Sequence, residues 1–125
     1  MIVLDASAYV DGAFGNQAVR ARLEDEDVHA PHLLDLEAAS ALRRLVAADE
    51  IEEKRAAEAL AMLGAADIHR HPHTPLLGLI WDRRDTLTPY DAAYVALATV
   101  LRAPLVTTDR KLAAAPGLPC TVELI

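Results

Sequence analysis

Cysteine is almost absent from this chain. Of its 125 residues only Cys120 carries a thiol, so no internal disulfide can staple the fold. A lone thiol suits a reducing cytosol. With no basic neighbour in sequence, Cys120 reads as a small apolar filler near the last strand. Aromatic residues are also scarce, at 4%, so the core must be aliphatic, built from Ala, Leu, Val and Ile. The longest apolar stretch, Ala92 to Leu101, is well short of the roughly 20 residues that span a bilayer. The amino terminus, MIVLDASAYV, has no basic leader and carries Asp5 inside its apolar run, which argues against a targeting segment. These absences predict a soluble, cytoplasmic protein with no membrane partner. Repeats, linkers and low-complexity tracts are missing as well, and the glycines form no phosphate-cradling, cofactor-binding motif.

What remains is a globular composition: 53% apolar and 25% charged residues. The length fits one domain over residues 1–125. The formal net charge of −7 speaks against a nucleic-acid partner, because phosphate contacts want a basic surface. That objection weakens if many of the acids surround a divalent cation, whose charge the substrate phosphate then meets.

The apolar run Ile2–Leu4 predicts a buried central strand. It is followed by helix to about Asp11, punctuation at Gly12 and Gly15, and a second helix over Asn16 to Glu24. Asp27 to Ala30 is a weakly signalled strand, after which Pro31 suits the first turn of a helix. His32 to Ala48 carries Leu33, Leu36, Leu42, Leu45 and Val46 at roughly helical spacing. Ile51 to Leu63 reads as helix with Ala56, Leu60 and Leu63 inward, and Gly64 stands where a C-terminal cap is expected. A strand over Ala66 to Arg70 ends at Pro72, and helix follows over Thr74 to Arg84. Tyr90 to Leu101 is apolar almost all round and predicts a deeply buried helix. Leu105–Thr107 is a strand, Asp109 to Ala115 a short helix, and Cys120 to Ile125 the closing strand. Alternating strands and helices predict an α/β fold in three layers, α/β/α, around a parallel sheet of about five strands.

Ligands of open parallel sheets bind beyond the carboxyl ends of the strands. Asp5 follows the first strand and Asp109 follows Leu105-Val-Thr-Thr; if those strands are neighbours, both acids face one crevice. Asp91 opens the buried helix, where Thr88-Pro-Tyr-Asp91 also fits a capping box and the acid favours the helix dipole. Glu37 lies in the second turn of its helix, either on a solvated face beside Arg44 or as a ligand facing the crevice. Asp35 is its competitor, but two residues along a helix subtend about 200°, so both cannot face one ion. Four converging acids repel one another unless a hard cation such as Mg²⁺ or Mn²⁺ neutralises them.

Four stretches in this order and spacing resemble the PIN-domain ribonucleases of the VapC toxin type. They are Ile2-Val-Leu-Asp5-Ala-Ser7, Ala30-Pro-His-Leu-Leu-Asp-Leu-Glu37-Ala-Ala-Ser-Ala-Leu42-Arg43, Leu87-Thr-Pro-Tyr-Asp91-Ala-Ala-Tyr94-Val-Ala-Leu97-Ala98 and Leu105-Val-Thr-Thr-Asp109-Arg-Lys-Leu112. The resemblance covers nearly the whole chain. It implies a five-stranded parallel sheet and a Mg²⁺- or Mn²⁺-dependent endoribonuclease. It further implies the toxin of a toxin–antitoxin pair, dimeric and held inactive by a small antitoxin. By position, the family's metal-binding, catalytic acids fall on Asp5, Glu37, Asp91 and Asp109, with Ser7 and Thr108 matching supporting hydroxyls. Ser40 stands where such proteins often carry Asn, and no further acid follows Asp109.

Arg43-Arg44 and Arg83-Arg84 read first as solvated helix faces; their functional reading is RNA phosphate contact, for which Arg43, Arg44, Arg110 and Lys111 are the candidates carried forward. Trp81 reads as core or interface rather than a base-stacking platform. His29, His32, His69, His71 and His73 invite a zinc reading, but no Cys accompanies them and Pro72 interrupts the alternation, so they are taken as strand-end and surface residues. Three rivals to a ribonuclease remain. A DNA-cleaving nuclease on the same scaffold is inseparable by sequence. An aspartyl phosphatase would want a second Asp where Ser7 stands. A non-catalytic interaction module would use the acids as caps and solubilising charges.

Overall fold

A computed structural model describes residues 1–125. In chain order the strands are β1 (Ile2–Leu4), β2 (Val28–Pro31), β3 (His69–His71), β4 (Leu105–Thr107) and β5 (Val122–Leu124). The helices are α1 (Ala6–Ala13), α2 (Gln17–Leu23), α3 (Leu33–Ala47), α4 (Glu53–Ala65), α5 (Leu77–Asp82), α6 (Pro89–Leu101) and α7 (Arg110–Ala113). The strands form one wholly parallel sheet in the order β3-β2-β1-β4-β5. The α/β expectation of about five parallel strands therefore holds. β1 is the centre: β2 flanks it on one side and β4 on the other, with Val3 beside His29 and Leu105. The order reverses between β1 and β4, which makes their carboxyl ends a switch point.

Alternation along β1 and β4 sorts the core. Val3 and Leu105 pack into a large cluster with α3, α4 and α6, whereas Ile2, Leu4 and Val106 pack into a smaller one with Ala8 of α1 and Val19 of α2. Every residue from Ala92 to Ala98 is buried, as expected of a helix apolar on all sides. Gly12 lies within α1 rather than ending it. A Cβ there would meet Val19 Cγ1 at 3.0 Å, so glycine permits the close approach of α2.

Several local expectations fail for physical reasons. Leu36 is 75% exposed: the inward stripe of α3 is Leu34, Ala38 and Leu42, and Leu36 lies about 200° from Leu34. Leu60 is likewise exposed, and Ala59 is buried in its place, while Ala56 and Leu63 face inward as expected. Gly64 is inside the last turn of α4, and the chain leaves through the extended backbone of Ala66. Pro31 ends β2 instead of opening a helix, beyond the reach of β1's pairing, where no ladder N–H is needed. Residues 74–84 divide into a 3₁₀ turn at Thr74–Leu76 and α5. Trp81 on α5 is 67% exposed and lies under the Arg84 guanidinium, 4.9 Å from the ring centroid, so it is not a core residue. Cys120 is half-buried against the main core, and burial raises its thiol pKa. No helix is long and apolar enough to cross a membrane.

Candidate active site

Asp5, Glu37, Asp91 and Asp109, drawn from four separate stretches, line one open crevice together with Ser7, Ser40 and Arg44. It lies at the carboxyl ends of β1 and β4. Asp5 directly follows β1 and is only 5% exposed. It occupies the N-cap position of α1, yet its side chain makes no cap bond. Instead, Oδ2 accepts the hydroxyls of Ser7 at 2.6 Å and Thr107 at 2.7 Å. The two hydroxyl oxygens are 3.1 Å apart. The backbone N–H of Asp109 in turn donates to Thr107 Oγ1 at 3.0 Å. Thr107, the last residue of β4 and fully buried, thus supplies the hydroxyl that sequence reasoning sought at Thr108. Thr108 contributes its backbone N–H, which donates to Ser7 Oγ at 3.2 Å.

Asp109 is the N-cap of α7, and its Oδ1 accepts the backbone N–H of Lys111 at 2.8 Å and of Leu112 at 3.3 Å. One oxygen is engaged by the chain while the residue still lines the crevice. Asp91 is in the first turn of α6, whose cap is Thr88: its Oγ1 accepts from Asp91 N at 3.2 Å. The expected cap and the crevice position therefore coexist. On α3, the 200° argument separates the two acids as expected. Asp35 turns away and takes Arg70 Nε at 3.0 and 2.9 Å on its two oxygens, and Glu37 faces the crevice.

The electrostatics are those of crowded carboxylates. Burial is the main cause that raises the pKa of Glu37, and the charges of Asp5 and Asp91 add to it. Burial likewise raises that of Asp91, with Asp5 and Asp109 adding. Tyr94 of α6 is fully buried, and its hydroxyl has no hydrogen-bond partner. Burial and then the charge of Glu37 drive its pKa up strongly. Glu37 and the Tyr94 hydroxyl are near enough to bias one another's proton, but no bond of ordinary geometry joins them. An orphaned hydroxyl among mutually repelling acids suits a hydrated hard cation, which neutralises the acids and offers oxygen partners. The all-oxygen donor set suits Mg²⁺ or Mn²⁺.

Of the basic candidates, Arg44 lines the crevice and donates to Ser40 Oγ at 2.9 Å. Arg110 and Lys111 are exposed immediately after Asp109. Arg43 is exposed but does not line the crevice. Arg83 donates to the Gly117 carbonyl at 2.7 Å. Thr107 and Tyr94 are the two contributors that sequence reasoning missed.

Residues 2–118 match the family described as the PIN domain. The chain is 48% identical to Ribonuclease VapC1 of Mycobacterium tuberculosis over 98% of its own length and 96% of that protein's. The solved structure of PAE2754 from Pyrobaculum aerophilum aligns with a TM-score of 0.70 and 26% identity, covering 97% of this chain and 82% of that one. A toxin–antitoxin complex from Klebsiella pneumoniae aligns over 98% of this chain and 97% of that one, with a TM-score of 0.68 and 19% identity, a likeness of fold. On the full-length match to VapC1 and the PIN-domain match together, this chain belongs to the VapC branch of the PIN-domain family.

Proposed function

We propose that the chain is an endoribonuclease that hydrolyses RNA phosphodiesters in the carboxylate crevice with Mg²⁺ or Mn²⁺, and that it is the toxin of a toxin–antitoxin pair. The observation that carries this reading is the convergence of Asp5, Glu37, Asp91 and Asp109 on one crevice at the β1/β4 switch point. The 48% identity to Ribonuclease VapC1 of Mycobacterium tuberculosis supports it. The reading treats residues 1–125 as one catalytic domain, working in the cytoplasm as a homodimer with a small antitoxin as partner.

In this reading Asp5, Glu37 and Asp91 would hold the cation, and Asp109 would either join them or serve a second ion. A bound divalent cation supplies Lewis acidity, which eases deprotonation of the attacking water and offsets charge growing on the phosphate. Ser7 and Thr107 fix the Asp5 carboxylate by binding Oδ2, so its orientation is set before substrate arrives. The backbone N–H groups of α7 do the same for Asp109. Arg44, at the crevice wall, is positioned to meet a substrate phosphate, and Arg110 and Lys111 extend a basic margin beyond Asp109. Arg43 is assigned the more distant backbone contact. Water adds to phosphorus and gives up a proton, the P–O bond to the leaving ribose oxygen breaks, and that oxygen takes a proton, leaving a phosphate end and a free hydroxyl end.

The test is cleavage of a panel of RNA and DNA strands by purified protein. The expected result is cutting of RNA with Mg²⁺ or Mn²⁺, none with EDTA, and a folded but inactive Asp5→Asn variant. Full activity of that variant, or cutting of DNA alone, would overturn the assignment.

A further inference from the structure

The histidines left without a role form a second polar cluster, away from the carboxylates. Asp27 immediately precedes β2, His29 lies on β2, and His69 and His71 are the first and last residues of β3. The parallel pairing sets His29 beside His69 and Pro31 beside His71. The His29 ring consequently neighbours both others, its centroid 4.7 Å from that of His69 and 5.1 Å from that of His71. Asp27 spans two of the rings: Oδ2 is 3.0 Å from His29 Nε2, and Oδ1 is 3.0 Å from His69 Nε2. On the other edge of its ring, His29 Nδ1 is 2.8 Å from His71 Nε2. The donor atoms of Asp27, His29 and His69 all lie within 4.8 Å of one another.

We infer that this cluster is a zinc site, with Asp27, His29 Nε2 and His69 Nε2 as ligands and His71 as the residue that orients His29. The donor chemistry selects the ion, since two imidazole nitrogens and one carboxylate oxygen suit Zn²⁺ better than Mg²⁺ or Mn²⁺. Ligands at about 2.0–2.1 Å in a tetrahedron lie about 3.3 Å from each other, and Asp27 already stands 3.0 Å from each of the two imidazole nitrogens; the stacked rings, 21° from parallel, turn on binding so that both lone pairs meet one ion. The tautomer is also provided for. A ligating imidazole presents a bare nitrogen to the metal and donates its other N–H to a neighbour. His71 Nε2 stands at hydrogen-bond distance from His29 Nδ1 to accept that proton.

Preorganisation is uneven, and that indicates what the site does. The His29 side chain is only 10% exposed, whereas that of His69 is 57% exposed. Three protein ligands leave one position for water or for a group from outside. The ion would clip the three-residue edge strand β3 to β2 and to the turn before it. Such a clip is made only in the native state and stabilises it by mass action. Asp27 stands at the amino-terminal end of the sheet, whereas the carboxylate crevice lies at the carboxyl ends, so the two ions would be chosen independently.

The test is a titration of metal-stripped protein with Zn²⁺ in the presence of excess Mg²⁺, followed by calorimetry and thermal melting. A Co²⁺ titration reports the ligand field by visible absorption. The expected result is one Zn²⁺ per chain in wild type and in Asp5→Asn, with a rise in melting temperature. In His69→Ala, a change at an exposed position, affinity falls about 100-fold and the rise disappears, while RNA cleavage with Mn²⁺ persists. Asp27→Asn serves as the second ligand variant. Equal zinc binding by wild type and His69→Ala overturns the site. So does binding lost in Asp5→Asn but kept in His69→Ala, or no stoichiometric binding by wild type.

Discussion

The sheet carries two polar clusters, built on opposite principles. In the crevice, four carboxylates converge with few neutralising partners, and burial raises the pKa of two of them. In the histidine cluster, nearly every ring nitrogen that faces inward already meets a partner within 3.0 Å. The first arrangement is unfavourable until something positive arrives, whereas the second is satisfied as it stands and can exchange a hydrogen bond for a metal bond. Charge crowding tolerated at a strand end is a sign of function, because a fold optimised for stability alone would relieve it.

The largest expected effect sharpens that contrast. Asp5→Asn should lower cleavage on the order of 10³-fold, the loss of several kcal/mol of transition-state stabilisation, in a single-turnover assay with Mn²⁺. Next, Thr107→Val keeps the shape and removes the hydroxyl on Asp5. It should cost about 10- to 100-fold in activity or in the Mn²⁺ concentration needed, read from metal-dependence curves; unchanged curves would break the claim that Asp5 is braced. Arg44→Ala should weaken RNA binding several-fold and reduce the salt slope of log affinity by about 1, with chemistry at saturation little changed.

The smallest effect concerns stability without metal. The folded-state pKa of Glu37 is raised, mainly by burial. A raised carboxyl contributes stability that is present below its unfolded pKa, near about 4.3, and lost as pH rises through the folded value. Metal-free wild type should therefore melt lower than Glu37→Gln at pH 7, and the gap should close toward pH 4. Thermal melts in EDTA at both pH values read it. Excess Mn²⁺ should reverse the order at pH 7, because the ion stabilises only the protein that keeps its ligand.

Much of this was legible in the residues. The two acids after β1 and β4, the Thr88 cap and the opposite bearings of Asp35 and Glu37 follow from strand ends, capping chemistry and helical geometry. Thr107 was not, because choosing between adjacent threonines requires knowing where β4 ends and which way its last side chain points. Leu36 misled because spacing counted loosely over α3 hid the stricter stripe of Leu34, Ala38 and Leu42. The histidines were visible in sequence but set aside as strand-end and surface residues, because only the pairing of β2 with β3, two short strands with weak signals, brings His29 beside His69 and His71, the latter 42 residues away.

One threonine sets an order of assembly. Thr107 joins Asp5 across 102 residues, and its own strand, β4, begins at Leu105. A nascent chain that has not yet reached that segment has Asp5 without its clamp and lacks Asp109 altogether. The crevice therefore cannot be completed until residues 105–109 have been made, after Asp5, Glu37 and Asp91 are already part of the growing chain.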